Sequence, residues 1–150
     1  MLGWRFLDMD AELEGEVGQS AAELLRELGE PEFRRLEHRT ARRLLGEDRA
    51  VVASGGGWPC APGRMEELGP GTLSVWLMVS AEASLERLGR SRTPRPLLEV
   101  DDPLARARSL LSEREPFYRM AHWHVRTDGR TSASVARDLR GRLDKQQRGL

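Results

Sequence analysis

The chain has 150 residues, the length of one domain, with 24 basic and 24 acidic side chains and a formal net charge of zero. Balanced charge gives no global field for nucleic acid, and no apolar stretch approaches the roughly 18 residues of a membrane span. Cys60 is the sole cysteine, which excludes an internal disulfide or a cysteine metal cluster, and no basic region followed by an apolar run opens the chain, so cytoplasm is the expected compartment.

In chain order, Trp4–Leu7 is a short apolar run ending in Asp8 and reads as a strand. Helical periodicity follows from Ala11 to Leu28 through Leu13, Val17, Leu24 and Leu25. Gly29 ends that helix and Pro31 opens the next, with Phe33, Leu36 and Leu44 on its apolar face. Ala50–Ala53 is a short buried strand that runs into Ser54-Gly55-Gly56-Gly57. Pro62–Leu68 is expected to be a short helix, and Leu73–Val79 a strand. Ser80 caps a helix over Ala81–Leu88. Residues 90–100 form a loop rich in arginine and proline. Asp102 and Pro103 open a long helix to about Met120, Trp123–Arg126 is a strand, and Ser132 caps a last helix to about Asp144 ahead of a polar tail. Strands alternating with helices predict a three-layer α/β/α domain with a parallel sheet, occupying residues 1–150 as one unit.

Several places along this chain suit a polar ligand, each with a plainer alternative. Asp8 and Asp10 sit at a strand end, where ligands of parallel sheets bind. Two carboxylates one residue apart can share a magnesium shell or accept a hydroxyl proton, and Asp10 can equally be a helix cap. Arg34 lies in the first turns of a helix, suited to a bidentate carboxylate clamp with Glu37 three residues on to orient it. An ordinary surface ion pair fits the same spacing. Gly55–Gly57 lets backbone N–H groups approach a ligand, or is simply a flexible loop. Arg95, held between two prolines, can close over a polyphosphate or stay solvated. Arg119 closes a helix at the end where the dipole alone favours a cation.

Taken in order, these segments resemble the shikimate kinases, members of the P-loop nucleoside-monophosphate-kinase-like fold. The residues that carry the resemblance are Phe6-Leu7-Asp8-Met9-Asp10, Gly29-Glu30 with Phe33 to Glu37, Ser54 to Gly57, Arg95-Pro96-Leu97-Leu98, Arg114-Glu115-Pro116-Phe117-Tyr118-Arg119 and Val125 to Asp128. The resemblance implies ATP-dependent phosphorylation of the 3-hydroxyl of shikimate in aromatic amino-acid synthesis. Asp10 would accept the hydroxyl and Asp8 would hold Mg²⁺ through water. Arg34 and Arg119 would clamp the substrate carboxylate, and Gly55, Gly56 and Gly57 would line its ring. Arg95 would be the arginine of a lid at about 90–100, with Arg87 and Ser132 beside the adenine. Shikimate and ATP are the expected partners, without nucleic acid or membrane, and a monomer is expected.

The family's phosphate-gripping sequence G-x-x-x-x-G-K-[ST] does not occur within the 150 residues, and the single lysine is Lys145 in the tail. In the family, a strand, that loop and a helix precede the position of Leu2. The expectation is therefore a sheet without its central strand, next to the strands of Ala50–Ala53 and Leu73–Val79. The alternative to an enzyme is a non-catalytic relative that binds shikimate or a protein partner.

Overall fold

The structure, a computed structural model, describes residues 2–90, 98 and 100–148. Among the described residues four short strands and five α-helices follow one another: β1 Arg5–Asp8, α1 Met9–Val17, α2 Ala21–Leu44, β2 Ala50–Ala53, β3 Val75–Met78, α3 Ala81–Gly89, α4 Pro103–Tyr118, β4 Trp123–Arg126 and α5 Ser132–Arg148. The order is that of the α/β class expected from the sequence. All strand pairing is parallel. β1 pairs with β2 in the register Arg5 to Ala50 through Asp8 to Ala53, and β3 pairs with β4 from Val75 opposite Trp123 to Met78 opposite Arg126. The two pairs are separate two-stranded sheets, and β2 and β3 do not pair.

Three local expectations need correction. The helix expected over Ala11–Leu28 breaks in two. Gly18 takes a left-handed φ of 77° that caps α1, and Ser20 then opens α2 by exchanging hydrogen bonds with Glu23 in a capping box. The break expected at Gly29 and Pro31 is present: Gly29 has non-helical angles that kink α2, and the second segment runs on to Leu44. Residues 62–67 are successive turns, not a helix, and the ordered element nearby is a 3₁₀ turn at Trp58–Cys60. Ser132 is the first residue of α5 and not its cap. The Thr131 hydroxyl accepts from the Ser134 N–H instead, and the helix continues to Arg148 through what reads in sequence as a polar tail.

Two apolar clusters hold the first half together. Leu7, Met9, Ala41, Leu44 and Trp58 pack where β1 and the 3₁₀ turn meet α2, and Leu13, Leu24 and Phe33 pack between α1 and α2. The α1–α2 seam is sealed at its polar rim by Arg43, which donates to both Glu12 and Glu16. In the second half the ends of β3 and β4 are tied. Thr127 donates through its amide and its hydroxyl to the Met78 carbonyl, and the Asp128 carboxylate accepts the Ser80 amide at the start of α3. α4 crosses between the halves, touching α3 on one side and the 3₁₀ turn on the other. No helix among the described residues is long and apolar enough to cross a membrane.

Leu13 is fully buried and has no polar role. Leu13→Ala is expected to cost about 2–5 kcal/mol. Urea unfolding followed by circular dichroism measures this, and a change below about 1 kcal/mol would mean that the α1–α2 seam is not a closed core.

Candidate functional site

The site is built where β1, the middle of α2 and the loop after β2 converge. Asp8 ends β1 and caps α1, its Oδ1 accepting the amides of Asp10 at 3.0 Å and Ala11 at 3.1 Å. The cap is thus Asp8, not Asp10, and Asp10 is left in the first turn with its carboxylate directed at the glycine loop. A Cβ placed on Gly55 would lie 3.6 Å from Asp10 Oδ1 and 2.6 Å from Glu37 Oε1. Only glycine lets the backbone come this close to two carboxylates.

Glu37 and Arg34 share one face of α2. Arg34 Nη1 donates to Glu37 Oε2 at 2.7 Å, and its Nη2 reaches Glu30 Oε1 at 3.3 Å. The Glu37 side chain is 1% exposed and that of Arg34 20%. Burial pushes the Glu37 carboxyl above the ordinary carboxylate range, and the adjacent Arg34 charge opposes the shift. Burial also works against the Arg34 charge, but Glu37 and Glu30 outweigh it and keep the guanidinium firmly protonated. Gly57 lies against this guanidinium so closely that a Cβ there would overlap it. With φ at −86°, Gly57 is in an ordinary backbone region, so its small size serves the approach of Arg34 and not a turn.

A second arginine arrives from α4. Arg114 Nη1 lies 3.6 Å from the Cβ position of Gly56, and its positive charge lowers the proton affinity of Glu37, Cys60 and Tyr118. The Tyr118 hydroxyl donates to the Gly56 carbonyl at 2.6 Å, and the Cys60 thiol shares that acceptor at 3.4 Å. Two carboxylates and two guanidiniums therefore ring Gly55–Gly57. Charges of both signs around a backbone without side chains suit a small polyhydroxylated acid: a guanidinium for its carboxylate and carboxylates for its hydroxyls.

The other residues singled out in the sequence lie elsewhere. Arg119 is the C-cap of α4. Its guanidinium donates twice to Glu115 Oε1, and its side chain is 67% exposed. Arg114 is the arginine of that segment brought to the glycines. Sequence reading missed it, although two hydrogen-bonding residues on one helix, Arg114 and Tyr118, stand four apart and so share a face. Arg87 is folded onto the end of β4, donating to the hydroxyl and the carbonyl of Thr127, and exposed Ser132 starts α5 just beyond that turn. Arg95 and the segment expected as a lid, apart from its ends and Leu98, lie outside the described residues. Among the described residues no three His, Cys, Asp or Glu side chains gather as a metal cage. What the junction of β1 and α1 offers a cation is the pair Asp8 and Asp10, a donor set that suits magnesium held by one or two carboxylates with water and phosphate completing the shell.

Comparison with known proteins gives a single family. The profile described as shikimate kinase matches residues 1–144. A shikimate kinase of Thermus thermophilus is 43% identical over 135 residues, covering 89% of this chain and 73% of the relative. One from Moorella thermoacetica is 37% identical over 142 residues, covering 95% of this chain and 81% of the relative. Among solved structures, the shikimate kinase of Acinetobacter baumannii in complex with shikimate superposes with a TM-score of 0.82 at 32% identity, covering 98% of this chain and 80% of that one. The enzyme from Bacteroides thetaiotaomicron superposes with a TM-score of 0.85 at 26% identity, covering 98% of this chain and 85% of that one.

The raised proton affinity of Glu37 has a thermodynamic sign. The folded chain holds this proton to higher pH than the unfolded chain does, so folding stability is full below the ordinary carboxylate pKa and falls as pH rises through the folded value. Glu37→Gln is expected to remove that part of the slope. Urea midpoints of the two proteins, taken at steps from the ordinary carboxylate pKa of about 4.3 up to neutrality, should therefore converge or cross towards neutral pH. A variant whose stability falls at least as steeply as the parent's over the same range would sink the assignment.

Proposed function

The chain belongs to the shikimate kinase family, and we propose that its glycine loop is the acceptor half of that reaction, in which the 3-hydroxyl of shikimate takes a phosphoryl group from ATP. The observation that carries the reading is the convergence of Arg34, Arg114, Asp10 and Glu37 on Gly55–Gly57.

In this reading Arg34 and Arg114 hold the substrate carboxylate from two directions, and Glu37 fixes Arg34 through their 2.7 Å hydrogen bond. Arg114 takes the place that the sequence alone gives to Arg119, because Arg114 is the one directed at the loop. Asp10 accepts the hydrogen of the reacting hydroxyl and aligns its oxygen for attack. Gly55–Gly57 offers the ring a wall without side chains. Magnesium, when bound, would neutralise charge on the phosphates. Asp8 would contribute through water from its Oδ2, since its Oδ1 is committed to the α1 cap. Arg87 and Ser132, on either side of the turn after β4, would border the adenine, and Arg95 would cover the phosphates. The 150 residues contain no phosphate-binding glycine–lysine sequence, so no step of phosphoryl transfer is assigned to a residue gripping the donor. Balanced net charge supports small-molecule partners over nucleic acid, and a monomer working in the cytoplasm completes the reading.

Isothermal titration of shikimate into the chain and three variants tests this. Arg34→Ala and Arg114→Ala are each expected to weaken binding by about 2–5 kcal/mol, the cost of truncating one partner of a buried charge pair. Arg119→Ala should cost no more than about 0.5 kcal/mol, as for a solvated surface pair. An Arg119→Ala loss equal to that of Arg114→Ala would overturn the assignment of the clamp. ADP release on adding ATP and Mg²⁺ to the same samples separates phosphorylation from binding alone.

A further inference from the structure

Tyr118 joins the two halves of the molecule at the acceptor loop. Its ring rests on Trp76 of β3, centroids 5.7 Å apart and planes inclined by 41°, and Trp76 in turn meets His124 of β4 edge-on at 5.3 Å. From this aromatic stack the hydroxyl reaches across to the Gly56 carbonyl at 2.6 Å, the shortest kind of neutral O–H···O bond. Burial raises the phenol's proton affinity, so the hydroxyl stays a donor throughout the neutral range.

One carbonyl governs more than itself. The peptide unit from Gly56 to Gly57 is planar and trans, so fixing the Gly56 C=O direction fixes the Gly57 N–H on the opposite side. Without side chains, a run of three glycines has many backbone states of similar energy, and the loop needs an outside restraint to keep one of them. Gly55 is hemmed by Asp10 and Glu37, and Gly57 by Arg34, and their own carbonyls accept the amides of Trp58 and Cys60 at 3.1 Å each, which leaves the Gly56 carbonyl between them. The directional restraint between them comes from α4, with the Cys60 thiol a weaker second donor to the same oxygen at 3.4 Å.

We propose that Tyr118 is a positioning residue of the acceptor site: its hydroxyl sets the plane of the Gly56–Gly57 peptide, and so the direction in which the loop presents its backbone to the substrate. The proposal rests on the reading of this loop as the shikimate site. It assigns to Tyr118 no contact with the reacting atoms.

Tyr118→Phe keeps the ring and its stacking and removes only the donor. Two readouts are taken on parent and variant, with the thermal midpoint as a check on folding. The first needs no ligand: the Gly57 amide nitrogen resonance in glycine-labelled protein reports the hydrogen bond on the preceding carbonyl. The second is the dissociation constant for shikimate by calorimetry. The expected result is a displaced Gly57 resonance, shikimate binding weakened about twofold to tenfold, the worth of one lost hydrogen bond, and a thermal midpoint lowered by only a few degrees. An unmoved Gly57 resonance, or shikimate binding as tight as the parent's, overturns the proposal. Failure of the underlying reading shows separately, as a parent chain that does not bind shikimate at all, and takes the positioning role with it.

Discussion

Everything at the site is arranged around one buried ion pair. Glu37 is almost completely removed from water, and an isolated carboxylate there would cost several kcal/mol. Arg34 makes the burial tolerable, and the pair is bidirectional in effect: Glu37 keeps the guanidinium from swinging into solvent, and Arg34 opposes the proton uptake that burial favours at Glu37. The space for this pair exists because the chain opposite has no side chains. Gly55 accommodates the Glu37 carboxylate and Gly57 the Arg34 guanidinium, so the glycines act as shape complements to charged groups. The second oxygen of Glu37 faces the loop, and the donors of Arg34 are only partly spent. The pair therefore supplies both rigidity and charged polar groups at the same place.

The same logic extends outward. α1 and α2 are clamped by the cluster of Leu13, Leu24 and Phe33, which sets the height of the middle of α2 against β1. Trp58, directly after the glycines, is buried with Leu7, Met9 and Leu44 and anchors the far end of the loop. On the other side the two parallel strand pairs remain separate sheets, so no ladder connects β2 to β3. Phe6, Val51 and Leu77 are 68%, 44% and 50% exposed on these strands, apolar surface that neither pair covers for the other. The halves communicate instead through α4, whose last turns bring Arg114 and Tyr118 to Gly56. Hydrogen bonds and a charge thus do at the loop what sheet pairing does not do between the strands.

Much of the local architecture is legible in residue order. Gly18, Ser20, Ser80, Asp102 and Pro103 all act at helix ends as their chemistry requires, although the Ser20–Glu23 capping box went unread and a single long helix was expected in its place. Asp8 and Asp10 were legible as a pair at a strand end, but which of them caps α1 depended on where the strand stopped, one residue later than the apolar run suggests. Residues 62–67, expected within a short helix, are successive turns. Met65 and Leu68 of this stretch pack against the cluster that contains Trp58.

The sequence by itself determined what depends on short spacing. Arg34 and Glu37, three residues apart on a helix, meet wherever that helix lies, and three glycines after a strand leave open backbone at its end. The tertiary structure alone decided which arginine of α4 faces that backbone. Arg114 and Arg119 are five residues apart, about 140° around the axis at some 100° per residue, so only one of them can point at the loop. The choice is made by how α4 is rotated against α3 and the 3₁₀ turn. That rotation comes from packing between segments distant in the chain, with Trp76 against Tyr118 among its contacts, and no stretch of neighbouring residues encodes it.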